Sequence, residues 1–516
     1  VSRAIRANLW LSQYRAVISL LLGGLLLRSA IAFWLPPGFD EAYYYLYTRH
    51  LDWSYFDHPL LVALTTGFGI WLTGEVSQFT IRLGTLLLHT GALLLLYLTA
   101  RRLFSPRAAI LTLTIASLIP IFLLSFGVLT LPDSPLIFFW TATLFVASDE
   151  FYRQPGDYHP SYRLAIVGLL VGLACLSKYH GLALGFGLIG FCLTSPRHRI
   201  ALTSPWMLTS AGLFLLTIAP IVLWNVQHDW ISFRFQSSRA IPDRGYNLLE
   251  LLGTFLVGIA YLFPTFGFPL WWACVRSLNS PSCPSILLWL SLPLMLGFTL
   301  IGGYRPILPT WAMPGFWSAT LLLGNWTSRW SARSRQRWLW GSGLAIATVL
   351  LVALLHVRIG LLQQPNQFVW EGFLPTQTDA SVQLLELQQL RQRWLESPTA
   401  RSALTQADFL FTNEIYLAGQ VGMATAPLTH KPITCFSNDL RGFAFWSTQN
   451  QWLGQNGLYI VSQRQTQAEV EQYRPYFESI EKVADLPLQR GGVIVEVLQL
   501  YHCQKLLKPY PRPYGK

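Results

Sequence analysis

Between residues 38 and 59 the chain concentrates side chains that can do acid–base chemistry. It reads Gly38-Phe-Asp40-Glu41-Ala-Tyr43-Tyr44-Tyr45-Leu-Tyr47-Thr-Arg49-His50, then Asp52-Trp53-Ser-Tyr55-Phe56-Asp57-His58-Pro59. Helical spacing puts Asp40 on the same side as Tyr43, Tyr44 and Tyr47. Tyrosines packed this densely beside two carboxylates predict an interfacial helix with its rings at headgroup depth. A carboxylate held at a membrane surface can have its pKa raised and serve as a base. Asp is also a good helix N-cap, and spacing alone leaves both roles open. Asp57-His58 offers two metal ligands, a weak signal by itself.

Polar residues recur at the ends of later apolar runs. Asp133 lies in Thr130-Leu-Pro-Asp133-Ser-Pro135, and Lys178 and His180 in Leu176-Ser-Lys178-Tyr-His180-Gly181. His228 follows Trp224-Asn225-Val-Gln227 and precedes Asp229-Trp230, Arg234 lies between Ser232 and Gln236, and Arg305 sits in Tyr304-Arg305-Pro306. Any one of these reads as an ordinary solvated loop charge. Acids and cations brought to one face of a membrane from several loops read better as a functional path.

The elements that must position them are membrane helices. Hydrophobic residues make up 52% of the 516, charged residues only 12%, and the mean hydropathy is +0.38. A soluble domain carries roughly 25% charge, so this chain lacks the polar surface of a water-facing globule. Apolar runs of about the length that crosses ~30 Å of hydrocarbon predict about eleven spans. They lie near 16–35, 81–100, 108–127, 134–151, 164–177, 181–194, 207–224, 248–268, 285–301, 311–324 and 338–357. Residues 60–73 are apolar but short, and predict a re-entrant or interfacial helix. The basic start followed by an apolar run has no small-x-small site after it, which reads as an uncleaved first helix.

Arginines fix the expected orientation. Arg3, Arg6, Arg15, Arg101, Arg102, Arg107, Arg153, Arg163, Arg197, Arg199, Arg276, Arg329, Arg333, Arg335 and Arg337 fall in one set of loops. The positive-inside rule assigns that set, and the N-terminus, to the cytoplasm. The net charge of +12 is then a topology signal and a contact with anionic lipids. No basic patch interleaved with aromatics argues for nucleic acid.

From about 358 the character changes, dividing a transmembrane domain (1–357, first outer loop 36–80) from a small α/β domain (358–516) placed outside the membrane. A polar amphipathic helix is expected over 379–397, strands near 407–412, 432–436, 458–462 and 492–501, and a helix near 467–477. Cys435 and Cys503 are that domain's only cysteines; a disulfide and two buried thiols both remain open.

The strings Asp40-Glu41-Ala-Tyr-Tyr, His50-Leu-Asp52-Trp53 and Tyr55-Phe-Asp57-His58-Pro59 resemble the first outer loop of bacterial family 39 glycosyltransferases. These are relatives of the protein O-mannosyltransferases and the lipid A aminoarabinose transferases, within the glycosyltransferase C superfamily. Leu131-Pro-Asp133-Ser-Pro, Leu176-Ser-Lys178-Tyr and Trp224 to Phe235 match in the same order, and Arg441-Gly-Phe-Ala-Phe-Trp446 and Arg490-Gly-Gly492 more loosely. The resemblance implies a polytopic α-helical enzyme of the bacterial inner membrane. It would move a sugar from a polyprenyl phosphate to a hydroxyl of a lipid, glycan or protein acceptor on the outer face.

It implies Asp40 as general base, with inversion at the anomeric carbon, and Glu41 as its support or an acceptor contact. Asp57, His58, Asp133, Lys178, His180, His228, Arg234 and Arg305 become candidates for binding donor phosphate and substrate. Where the aminoarabinose transferases carry Glu-Lys-Pro-Pro, this chain has Asp57-His58-Pro59-Leu60, which puts an inherited divalent-metal site in doubt. No other cofactor is implied. A transporter or flippase is the competing class, but no internal repeat of the kind such folds show is visible. A membrane-anchored scaffold would not need the converging charges.

Overall fold

The computed structural model describes residues 3–153, 156–239, 241–242, 244–280, 283–368 and 372–515, without the side chains of 3–12 and 465–469. Fifteen helices are found among the described residues up to 359: α1 (Arg3–Trp34), α2 (Phe39–Tyr47), α3 (Leu61–Thr73), α4 (Leu83–Leu103), α5 (Pro106–Leu118), α6 (Asp133–Tyr152), α7 (Arg163–Ser177) and α8 (Gly181–Thr194) come first. They continue with α9 (Pro205–Gln227), α10 (Ile231–Ser238), α11 (Leu248–Leu262), α12 (Pro264–Leu278), α13 (Ser285–Ile301), α14 (Met313–Ser328) and α15 (Ala332–Ile359).

Among the described residues, helices at Gln13–Trp34, Thr80–Leu103, Pro205–Gln227 and Ala332–Ile359 are long and apolar enough to cross a membrane on their own. The expected spans at 164–177, 181–194 and 285–301 are helices too, but shorter ones. Two other expectations need correction. The run 108–127 stops being α-helical at Leu118, two residues before Pro120, and resumes as a π-helical turn over Phe122–Phe126. The run 248–268 is two helices that meet at 111°, because Phe263 takes φ of +68° immediately before Pro264.

The chain divides into two compact units: residues 1–31, 53–65 and 83–348, and residues 32–52, 66–82 and 349–516. The first outer loop is therefore shared out. Asp40 and Glu41 fold with the C-terminal region, whereas Asp57 and His58 fold with the helical unit. Within the helical unit α6 and α14 are tied by reciprocal bonds between buried groups. Trp140 Nε1 donates to Ser318 Oγ and Trp317 Nε1 to Thr141 Oγ1, both at 2.9 Å. Such pairs satisfy the indole N–H away from water.

The second unit adds β1 (Gln363–Gln364), β2 (Leu374–Pro375), α16 (Leu387–Glu396), α17 (Pro398–Gln406), β3 (Phe409–Thr412), α18 (Ile415–Thr425) and β4 (Ile433–Cys435). It closes with α19 (Phe443–Trp446), β5 (Gly457–Ser462), α20 (Thr466–Tyr473), β6 (Phe477–Arg490) and β7 (Val493–Leu506). The main sheet runs β4-β3-β5-β7-β6, parallel across β4, β3 and β5 and antiparallel beyond. Its aromatic core gathers Phe409, Phe411, Phe436, Trp452, Tyr459, Tyr473 and Phe477.

Three points in this unit go beyond the sequence or correct it. The helix expected at 379–397 begins only at Leu387, after a 3-10 turn at Ala380–Gln383. β6 was not anticipated, since its charged, edge-lying sequence lacks clean alternation. Cys435 and Cys503 are free and buried. They lie on β4 and β7 with β3 and β5 between them, about 14 Å apart at normal strand spacing, twice what a disulfide spans.

Candidate active site

The expected interfacial helix is α2, but its rings do not form a headgroup belt: they are buried in protein. Tyr43, Tyr44, Tyr45 and Tyr47 are all at most 4% exposed. α2 packs against α18 so closely that a Cβ on Gly419 would lie 2.5 Å from the Ala42 backbone. Tyr43 Oη accepts the Gly442 N–H at 2.9 Å, and the Tyr43, Tyr47 and His50 rings sit 5.9, 5.7 and 4.9 Å from Trp446.

Asp40 is the second residue of α2 and is half-buried. Its neighbour Glu41 is fully buried and already engaged. Arg82 Nε donates to Glu41 Oε1 at 2.8 Å and Nη2 to Oε2 at 2.6 Å, and Oε2 also accepts the N-cap Gly38 N–H at 2.7 Å. Arg82 completes its five N–H bonds on the carbonyls of Ala32, Leu35 and Pro36. Glu41 thus pins the start of α2 and the segment leading into it. This is the placement of a structural fastener holding Asp40's helix. Sequence reading passed over Arg82, although a lone arginine at the edge of an apolar run is a signal in itself.

In the helical unit a second cluster forms. The chain turns tightly over Tyr55–His58, with Tyr55 N–H bonded to His58 O at 3.1 Å. α10 clasps that turn: Ser232 Oγ donates to Tyr55 O at 3.0 Å, Gln236 Nε2 to Asp57 O at 2.7 Å, and Phe235 packs on Phe56 at 4.7 Å. The break between α7 and α8 carries Lys178 and His180. Gly181 opens α8 where any Cβ would meet the Cys175 backbone at 2.3 Å, so only glycine permits so sharp a turn. Asp133, first in α6, takes Lys178 Nζ on both oxygens at 2.8 and 2.9 Å.

These elements enclose a cavity of about 150 Å³ bordered by His58, Lys178, His180, Gln236 and Arg239, with Tyr179, Phe298 and Trp311 among its apolar walls. His180 stacks on Phe298 at 5.3 Å, and the Arg239 guanidinium lies 4.3 Å over the Phe235 ring. The cavity offers an ammonium, a guanidinium and imidazoles, with the buried carboxylates of Asp133 and Asp57 outside its lining, a donor set suited to an oxyanion.

The remaining candidates are elsewhere. Arg234 is exposed and bonds the Asp229 carbonyl; the arginine at the cavity is Arg239, one turn and a residue further along. Arg305 Nη1 holds the carbonyls of Ser238 and Ile241 at 2.8 and 3.0 Å, fastening the segment after α10. His228 caps α9, with Nδ1 2.7 Å from Trp224 O and its ring stacked on Trp224. Asp57 is buried and lies beside the cavity residue His58 without lining the cavity. Among the described residues no group of three or more His, Cys, Asp or Glu gathers around a point that could hold a metal ion.

Residues 57–224 match the family described as dolichyl-phosphate-mannose-protein mannosyltransferase. The chain is 29% identical over 293 residues, 55% of its own length, to the lipid A galacturonosyltransferase RgtD of Rhizobium johnstonii, and spans 59% of that relative's length. Its fold is similar to that of ArnT from Cupriavidus metallidurans in the apo state, with TM-score 0.60 and 17% identity over 94% of this chain and 97% of the other. The structure of the same protein bound to undecaprenyl phosphate gives TM-score 0.57 and 15% identity at the same coverage. The chain is thus similar to that family over residues 57–224 and shares its fold with ArnT.

Proposed function

We propose that this protein is a multi-pass membrane glycosyltransferase that moves a sugar from a polyprenyl-phosphate carrier to an acceptor hydroxyl. In the bacterial inner membrane the N-terminus would face the cytoplasm and residues 358–516 the outer side, as the arginine distribution requires. The acceptor class that fits best is a saccharide-bearing lipid, in keeping with the lipid A transferase among its relatives. The observation that carries the proposal is the cationic cavity at Lys178, His180, His58 and Arg239, on a fold shared with a protein whose structure holds undecaprenyl phosphate.

The chemistry follows from the residues. Asp40 Oδ takes the proton of the acceptor hydroxyl. The hydroxyl oxygen attacks the anomeric carbon from the face opposite the phosphate, and the C1–O bond breaks with its electron pair leaving on the polyprenyl phosphate. Lys178 and Arg239 stabilise the charge that develops there. Arg82 and Glu41 hold the helix that carries Asp40.

The test is turnover of radiolabelled undecaprenyl-phosphate sugars by purified protein, wild type against Asp40→Asn. Loss of at least ~10²-fold in transfer, the usual contribution of a general base, with donor binding retained, is the expected result. Full activity in Asp40→Asn would remove the base, and no binding of any polyprenyl phosphate by wild type would remove the transferase.

A further inference from the structure

We propose that a groove in the second unit, running past the entrance to α2, binds a disaccharide of the acceptor; this rests on the transferase reading above. One lobe, of about 90 Å³, is bordered by Phe39, Tyr416, Gln420, Arg464 and Glu496 over a floor that includes Leu385 and Leu498. The other, of about 260 Å³, includes Pro36, Arg358, Gln389, Gln489 and Arg490. The two share Leu385 and Glu496, and Pro36 of one lobe lies three residues before Phe39 of the other. Asp40 is the next residue after Phe39.

The lining has the chemistry of a sugar site: aromatic faces for the C–H side of a pyranose, and amides, a hydroxyl and paired charges for its hydroxyls. The Phe39 and Tyr416 rings lie 6.0 Å apart at 49°. Tyr416 is braced by Arg441, whose guanidinium lies 5.5 Å over its ring and whose Nη1 bonds its Oη at 3.2 Å. Arg441 is in turn set by its backbone N–H on Tyr514 Oη at 2.8 Å, with φ of +40°. Gln420 is buried and its Nε2 is committed to Gln383 O at 2.9 Å, which fixes its amide plane. Glu496 is held by Arg464 Nε at 3.2 Å and Ser462 Oγ at 2.8 Å. A wall of fixed polar groups beside aromatic rings costs little to order when a rigid, hydroxyl-rich ligand arrives. Two adjoining lobes suit two linked rings, and Phe39 in the lining sets the bound saccharide at the start of the helix bearing Asp40.

The test uses the full chain in nanodiscs and saturation-transfer NMR with a β-1,6-linked glucosamine disaccharide as the probe. Wild type is expected to transfer saturation to the sugar ring protons. Tyr416→Ala should weaken binding about fivefold, as loss of an aromatic contact does, and Gln420→Ala about fivefold, as loss of one hydrogen bond does, while Tyr416→Phe stays within about twofold. Asp40→Asn should retain the signal. Thermal melting certifies each variant as folded, and Gln420→Ala stands in if Tyr416→Ala does not fold. No saturation transfer to wild type, or equal transfer in folded Tyr416→Ala and Gln420→Ala, overturns the groove. A wild type that binds the disaccharide yet turns over no polyprenyl-phosphate sugar instead overturns the transferase reading.

Discussion

Glu41–Arg82 and Asp133–Lys178 are both acid–cation pairs removed from solvent, one in each compact unit. They differ in what they leave over. Arg82 spends all five N–H groups inside the second unit, two on Glu41 and three on backbone carbonyls. Lys178 gives two short contacts to one carboxylate and still borders a cavity, so an N–H remains for a ligand. A saturated pair fixes geometry. An unsaturated one, held in place by its acid, is a preformed clamp for an anion.

The sharpest way to break this contrast is at Arg82. Arg82→Met strands a fully buried carboxylate, and should cost about 3–5 kcal/mol of stability, read as a large fall in the melting temperature. Glu41→Leu added to Arg82→Met should recover much of it, because both charges are then gone. If Arg82→Met melts like wild type, the fastener does not exist. Lys178→Met combined with Asp133→Asn avoids the stranded acid. It should leave melting nearly unchanged while raising the donor KM about tenfold, one lost charge-assisted contact. Arg239→Ala should raise the donor KM several-fold and Arg234→Ala hardly at all; the reverse ranking would move the anion site.

A smaller effect concerns His50, stacked on Trp446 beside α2. Burial, and then Arg49, push its pKa down to about 4. The folded state therefore holds it neutral where the unfolded chain, near 6.5, protonates. Stability from this group is complete above about pH 6.5 and falls as pH drops toward about 4. Denaturation curves at stepped pH should show that loss in wild type and a reduced slope in His50→Phe. An unchanged slope would assign acid sensitivity to the carboxylates instead. The smallest expectation is a null: reductant should not shift the melting temperature, as two strands lie between Cys435 and Cys503.

Apolar run length and arginine placement made the helical architecture legible, because each depends on local sequence alone. The bend at Phe263 was not, since positive φ in a phenylalanine is imposed by its surroundings. The fate of the tyrosines in α2 was hidden for another reason. An aromatic run looks the same whether it meets headgroups or protein, and the partners, Gly419, Gly442 and Trp446, lie hundreds of residues away. Of the phosphate candidates Lys178, His180, Arg234 and Arg305, with His58 behind them, the structure brings Lys178, His180 and His58 to one cavity, and all three carry charge or imidazole at helix breaks. Arg239, not Arg234, borders that cavity, because a one-turn offset along α10 decides which side chain reaches it, and sequence spacing does not fix that offset.

The bond from Gly442 to Tyr43 joins residues 399 positions apart. It follows that α2 cannot complete its packing surface until the ribosome has delivered the chain as far as Gly442 and Trp446. Throughout that interval the four tyrosines of α2 lack the surface formed by Gly419, Gly442 and Trp446, and contacts this distant in sequence form slowly. Biogenesis, and not only catalysis, therefore places a demand on this helix: its own N-terminal cap and the Glu41–Arg82 pair, both built from neighbouring chain, must keep it in shape until the C-terminal region arrives.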